Sequence, residues 1–114
     1  MKISVVVPSI RLGNWERLYN SIQKSCVKYD FELILIGPRY SPILENYANV
    51  RFIQDYGSPT RGLQIGLCNA SGDIITWASD DSTFVEDSID KCIDALMQED
   101  ENTVVITKYS EGED

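Results

Sequence analysis

The sequence contains no histidine, and only 10 Lys and Arg stand against 18 Asp and Glu, a formal charge of -8 over 114 residues. The missing histidine removes the side chain most often used to move protons near neutral pH. The shortage of bases argues against nucleic acid as a partner, because counterion release cannot drive binding to a phosphate backbone without a basic face. Cysteine is scarce as well: Cys26, Cys68 and Cys92 are far apart and odd in number, which suits neither a disulfide framework nor a CxxC metal site, and they read as small core residues. No apolar run approaches the length of a membrane span, and Ile3 to Val7 is too short for the apolar part of a signal peptide. No transmembrane segment is therefore predicted, and a cytoplasmic location is the expectation. The phosphate-binding patterns GxGxxG and GxxxxGK[ST] are also missing, since Gly62 to Gly66 falls inside a predicted helix.

What is present suits one globular domain: 43% hydrophobic and 25% charged residues on a chain long enough to bury a core without staples. Glu99-Asp100-Glu101 and the closing Glu111-Gly112-Glu113-Asp114 read as solvated surface. Ile3-Ser4-Val5-Val6-Val7 is a nearly continuous β-branched run closed by Pro8, the pattern of a strand buried on both faces. Trp15, Leu18, Tyr19, Ile22 and Cys26 then line one side of a helix, with Asn14 as its N-cap. Phe31 to Ile36 and Val50 to Gln54 read as the second and third strands, separated by a helical turn over Pro42 to Tyr47. A helix over about Thr60 to Ala70 should face the sheet with Leu63, Leu67 and Ala70 and end at Ser71-Gly72 with a C-terminal glycine. Ile74 to Ala78 is the fourth strand. Val85, Ile89, Cys92, Ile93, Leu96 and Met97 form an amphipathic stripe, and Thr103 to Thr107 a fifth strand.

Strand and helix alternate, so right-handed crossovers predict an α/β fold: a three-layer α/β/α sandwich around a mainly parallel sheet, with its ligand crevice beyond the carboxyl ends of the strands. The loops that follow strands are Pro8 to Asn14, Gly37 to Ser41, Asp55 to Arg61 and Ser79 to Phe84. In the last of these, Asp80 and Asp81 adjoin a strand end, where extended backbone sends successive side chains to opposite sides. Such a pair is enough for Mg²⁺ or Mn²⁺, which are often held by one or two carboxylates together with substrate phosphates. Equally, Asp80, Asp81 and Ser82 suit the N-terminus of the next helix as caps.

Taken in order, these landmarks resemble the family-2 glycosyltransferases. Ile3-Ser4-Val5-Val6-Val7-Pro8-Ser9 is similar to that family's first strand and uridine-contacting turn. Phe31 to Ile36 is similar to its second strand, and Gln64-Ile65-Gly66 through Ala70-Ser71-Gly72-Asp73-Ile74-Ile75 resembles its helix and its approach to strand four. Thr76-Trp77-Ala78-Ser79-Asp80-Asp81-Ser82 stands in the place of the family's D-x-D element. The resemblance implies a Rossmann-like GT-A fold in which residues 1–114 form a single nucleotide-sugar-binding domain. It also implies inverting glycosyl transfer from a UDP- or dTDP-type donor with a divalent cation. Asp81 matches the metal aspartate, and Asp80 the acid beside it, near the ribose or the metal's water. Pro8 and Ser9 match the uridine-contacting turn, while Arg11 and Arg61 present guanidinium forks suited to base or diphosphate.

Three departures from the family pattern bear on function. Gly37-Pro38 stands where the family often has an acidic pair that helps hold the nucleoside. Ser79 replaces the first aspartate of the metal motif, so metal affinity should be low until nucleotide arrives. Family members also continue into an acceptor-binding half that carries the general base, and nothing in this sequence supplies that group, so a truncated or half-enzyme chain inactive alone is expected. The same features suit a non-catalytic or degenerate GT-A-like module serving assembly or binding, which would show no nucleotide dependence. A phosphoryl-accepting receiver domain would need acids where Pro8-Ser9 stands. An uncovered sheet edge, finally, predicts a homo-oligomer.

Overall fold

In the computed structural model, which describes residues 1–98, the first strand, β1, spans Lys2–Pro8 and lies at the interior of the sheet. Its Ile3, Val5, Val6 and Val7 are all buried, as a strand covered on both faces requires. β2 (Asp30–Gly37) pairs with it in parallel, β3 (Val50–Gln54) follows outside β2, and β4 (Ile74–Trp77) lies on the other side of β1. The order β3-β2-β1-β4 is all parallel.

Three helices complete the described layers: α1 (Trp15–Ser25), α2 (Pro59–Asn69) and α3 (Ser88–Met97). α1 and α3 cover one face, where Trp15, Leu18, Ile22, Ile89 and Ile93 join Val5, Val7, Leu33 and Leu35 in the larger core. α2 covers the other, above Val6, Ile34 and Ile36. This is the three-layer parallel α/β arrangement expected from the alternation of strand and helix.

Several local readings need correction. Of the residues expected to turn α2 to the sheet, Leu63 and Ala70 pack partly buried against the core but Leu67 is exposed, and the fully buried positions are instead Gly62 and Gly66. The reason is distance, since a Cβ on Gly66 would lie 2.3 Å from Val6 Cγ1 and 2.8 Å from Ile36 Cδ1. Glycine there lets helix and sheet approach more closely than leucine would. Gly72 does not terminate this helix in a left-handed cap; it is required because a Cβ would meet Ser4 Oγ at 2.7 Å and the Lys2 carbonyl oxygen at 2.8 Å. Asn14 occupies the N-cap position of α1 but makes no side-chain cap bond, because a 3-10 turn over Leu12–Asn14 already leads into the helix. The stripe of α3 is narrower than its periodicity suggests: Val85 precedes the helix and is exposed, as is Met97. Cys26 is buried but Cys68 is exposed, so the cysteines are not uniformly core residues. The predicted strand over Thr103 to Thr107 lies outside the described residues.

Two buried acids fasten the end of the sheet remote from the strand carboxyl termini. Glu32 accepts hydrogen bonds from Ser4 Oγ at 2.5 Å and from Ser71 N and Oγ at 2.8 and 2.9 Å, tying β2 to β1 and to the turn that enters β4. Asp90 of α3 accepts from the backbone N–H groups of Val27 at 2.9 Å and Lys28 at 3.1 Å, closing the connection between α1 and β2.

Candidate functional site

The loops that leave the strands at their carboxyl ends start from fixed positions. Each extends the backbone ladder past its strand: Ser9 N–H donates to the Ile36 carbonyl at 2.8 Å, Asp55 N–H to Gly37 at 2.9 Å, and Ala78 N–H to Val6 at 3.1 Å. Gly37 is essential to this convergence, because a Cβ there would lie 2.0 Å from the Ser9 carbonyl oxygen. The loops enclose a cleft of about 230 Å³ between Pro8, Ser9 and Arg11 on one side and Pro38, Asp55 and Ser58 on another. A larger depression of about 600 Å³ runs along the outside of α1 past Arg17, Lys24 and Glu86, but it is an open helix surface where no strand end arrives. The strand-end cleft is the better candidate. It spans the exits of β1, β2 and β3 and reaches the β4 loop at Ser79 and Asp80, so it borders the point between β1 and β4 where the chain reverses direction across the sheet.

Asp80, which follows β4, is 4% exposed. Its Oδ2 accepts from Ser9 Oγ at 2.9 Å, Ile10 N at 3.1 Å and Arg11 N at 2.9 Å, and its Oδ1 accepts from Arg11 Nη1 at 2.7 Å. The Ser9 hydroxyl is in turn held by Trp15 Nε1 at 2.7 Å, so the chain of contacts runs from the start of α1 through the β1 loop into the β4 loop. Burial pushes the Asp80 pKa up, but the N–H and O–H donors from Arg11, Ser9 and Ile10 outweigh it and hold the carboxyl below its ordinary value. Asp80 is thus an anion inside the fold with both oxygens engaged.

Asp81 points the other way. Its side chain is 62% exposed; Oδ1 accepts from Ser79 Oγ at 2.5 Å, and Oδ2 lies 3.7 Å from Arg11 Nη1. The two acids do face opposite ways, one inward and one outward, but not by strand alternation: β4 ends at Trp77, and a turn closed by Ser82 N–H to the Ser79 carbonyl at 3.1 Å carries them. Neither caps a helix, because α3 begins only at Ser88, after Asp87 with φ at 63°.

Across the cleft Arg61 Nε donates to Asp55 Oδ1 at 3.0 Å, while Gly57 N–H donates to Asp55 Oδ2 at 3.0 Å. Ser58 caps α2 by accepting from Arg61 N at 3.2 Å. Pro8, Ser9, Arg11 and Asp80 thus share one wall of the cleft, Arg61 stands at the opposite rim through Asp55, and Asp81 stands outside next to Ser79. Asp55 and Trp15 were missed in the sequence: Asp55 because a single acid after a strand resembles any turn residue, and Trp15 because helical spacing marks only its ring. Among the described residues no group of three or more His, Cys, Asp or Glu side chains could hold a metal. No described helix is long and apolar enough to cross a membrane.

The fold and the position of the cleft define the class: a Rossmann-like α/β domain with an all-parallel sheet. No family model matches the chain, and no curated protein matches its sequence. Solved structures do match. The structure of residues 1–349 of TarS from S. aureus, a glycosyltransferase, aligns over 86% of this chain with a TM-score of 0.68 and 22% identity. A second structure, of S. aureus TarS, aligns over the same 86% with a TM-score of 0.69 and 24% identity. The chain spans 32% and 20% of the length of those two structures, so the likeness is one of fold over a part of them.

Proposed function

We propose that the strand-end cleft binds a nucleoside diphosphate sugar of UDP or dTDP type, and that the chain is the donor-binding part of an inverting glycosyltransferase. One observation carries this reading: at the point where the sheet order reverses, two adjacent aspartates divide between a sealed position and an open one, with an arginine touching both. The likeness of fold to TarS supports it.

In this reading Pro8 and Ser9 form the wall against the nucleoside, and Arg11 and Arg61 face the diphosphate. Arg61 is fastened through Nε, so its remaining N–H groups keep a fixed orientation, which lowers the cost of ordering the side chain on binding. Asp80 is a positioning residue: it locks the β1 loop to the β4 loop and so sets where Ser9 and Arg11 stand. Asp81 and the hydroxyl of Ser79 offer hard oxygen donors of the kind that Mg²⁺ or Mn²⁺ accepts, and one carboxylate suffices when phosphates and water complete the shell. When bound, such an ion offsets charge on the leaving diphosphate. The acids lining the cleft, Asp55 and Asp80, are both paired, and neither is assigned the role of general base.

Calorimetric titration of UDP, dTDP and GDP, each with and without Mn²⁺, tests the reading on the wild type and on Asp81→Ala. Binding that requires Mn²⁺ and disappears in Asp81→Ala is expected. If folded protein binds no nucleotide at millimolar concentration, the donor-site reading fails and the module is one for assembly.

A further inference from the structure

The contacts that Arg11 makes with the two aspartates differ in kind. Asp80 keeps three other donors, Ser9 Oγ, Ile10 N and Arg11 N, so it stays satisfied if the guanidinium departs. Asp81 Oδ2 has the guanidinium as its near charge at 3.7 Å, and only Oδ1 is hydrogen-bonded, to Ser79. The Arg11 side chain is 55% exposed and can swing away without unpacking the core. Charge arithmetic then constrains what the pair can accept: two carboxylates and one guanidinium sum to a single negative charge. A divalent cation added to that set leaves a net positive charge unless the guanidinium moves or an anion arrives.

Resting on the donor-site reading above, we infer that Arg11 is a resident counter-cation of the Asp80–Asp81 pair, with which a divalent cation at Asp81 competes as long as no anion is bound. Arg11 therefore holds down the metal affinity of the nucleotide-free protein. A diphosphate relieves the conflict, because it supplies the negative charge that accommodates both cations. Metal and nucleotide then bind as a unit, and the cause is a side chain rather than a shortage of ligands.

The test is a Mn²⁺ titration of the full chain without nucleotide, at low ionic strength, following free Mn²⁺ by electron paramagnetic resonance. Arg11→Gln should bind Mn²⁺ about tenfold tighter than wild type, the effect of removing one partly screened unit charge at this separation. Arg11→Lys, which keeps the charge, should stay within about threefold of wild type. In Arg11→Gln combined with Asp81→Asn the gain should vanish. Circular dichroism confirms folding, which the backbone donors to Asp80 preserve in every variant. The inference is overturned if Arg11→Gln binds no tighter than wild type, if Arg11→Lys binds as tightly as Arg11→Gln, or if the gain survives Asp81→Asn. Because this comparison omits nucleotide, it reports on Arg11 alone, whereas failure of UDP, dTDP and GDP to bind would count against the donor-site reading.

Discussion

Replacing Glu32 with glutamine should destabilise the protein in a way that depends on pH. The Glu32 side chain is 6% exposed, and besides its hydroxyl and backbone donors it faces Arg51 Nε at 3.3 Å and Lys2 Nζ at 3.6 Å. Burial pushes its pKa up, but the hydrogen bonds from Ser4 and Ser71 and the charge on Arg51 prevail and hold it at about 2, against 4.5 for a free glutamate. A carboxyl with a depressed native pKa contributes stability that is complete above the unfolded value and is lost as pH falls toward the folded one. The window here runs from about pH 5 down to about pH 2. A shift of this size corresponds to about 3 kcal/mol, at ~1.4 kcal/mol for each pH unit. Glutamine has the same shape but cannot titrate, so Glu32→Gln should cost about 2–3 kcal/mol at pH 7 and much less near pH 2.5. Urea unfolding of both proteins, followed by circular dichroism at pH 7, 4.5, 3.5 and 2.5, measures the difference. Taking that difference cancels the carboxyls common to both, Asp80 included. A gap below about 0.5 kcal/mol at pH 7, or one that stays constant down to pH 2.5, would refute the reasoning.

The two buried glycines of α2 should respond to alanine in opposite directions. Gly66→Ala should destabilise by about 1–3 kcal/mol, because its Cβ meets buried Val6 and Ile36, whereas Gly62→Ala should gain up to ~1 kcal/mol of helix propensity. A Cβ at Gly62 meets Pro8 Cβ at 3.4 Å and Ile36 Cγ2 at 3.5 Å, near ordinary contact, so equal melting shifts for the two variants would disprove the account. On the α2 side of β4, Ile75 and Trp77 are exposed, Trp77 at 62%, and Leu67 of α2 is exposed as well. Self-association through this face is expected to appear by light scattering in the micromolar range and to be lost in Trp77→Ser, and a wild type that stays monomeric throughout would remove it.

How much of this was legible in the sequence depends on whether side-chain chemistry or backbone distance decided the outcome. β1, β2 and the inner face of α1 were legible because Val5, Leu33, Leu18 and Ile22 are apolar at the spacings their elements require. The buried face of α2 was legible only in part: Leu63 and Ala70 pack against the core as their spacing indicates, but hydrophobic periodicity also gives weight to Leu67 and none to Gly62 or Gly66, while close helix–sheet contact selects the residues with no side chain. Gly72 followed the same logic: its position after a helix suggested a cap, but the controlling contact is with β1, remote in sequence. Glu32 sits among Phe31, Leu33 and Ile34, where a charge signals an exposed edge unless Ser4, Ser71 and Arg51 are known to converge on it. At the candidate site, Asp80 and Asp81 could be singled out, but their opposite orientations come from a turn rather than from strand alternation, and which one faced inward was fixed by partners in the β1 loop.

That last point bears on how such a site is built. The exits of β1 and β4 are neighbours because the chain crosses back over β2 and β1 through α2, so Ser9 and Asp80 meet although 71 residues separate them. A short anionic side chain from one loop then collects the N–H groups of the other. That fixes both loops without a disulfide or a metal, at a position where backbone donors would otherwise face the cleft. The arrangement also commits one carboxylate of the pair to structure. The remaining carboxylate, Asp81, is left exposed at the rim with Arg11 beside it, and the Asp80 lock keeps that arginine within reach by holding its backbone. The charge balance of the site is therefore set by a contact that also holds the fold together. A change at Asp80 should disturb both, whereas a change at Asp81 should leave the fold intact and alter only what the cleft can bind.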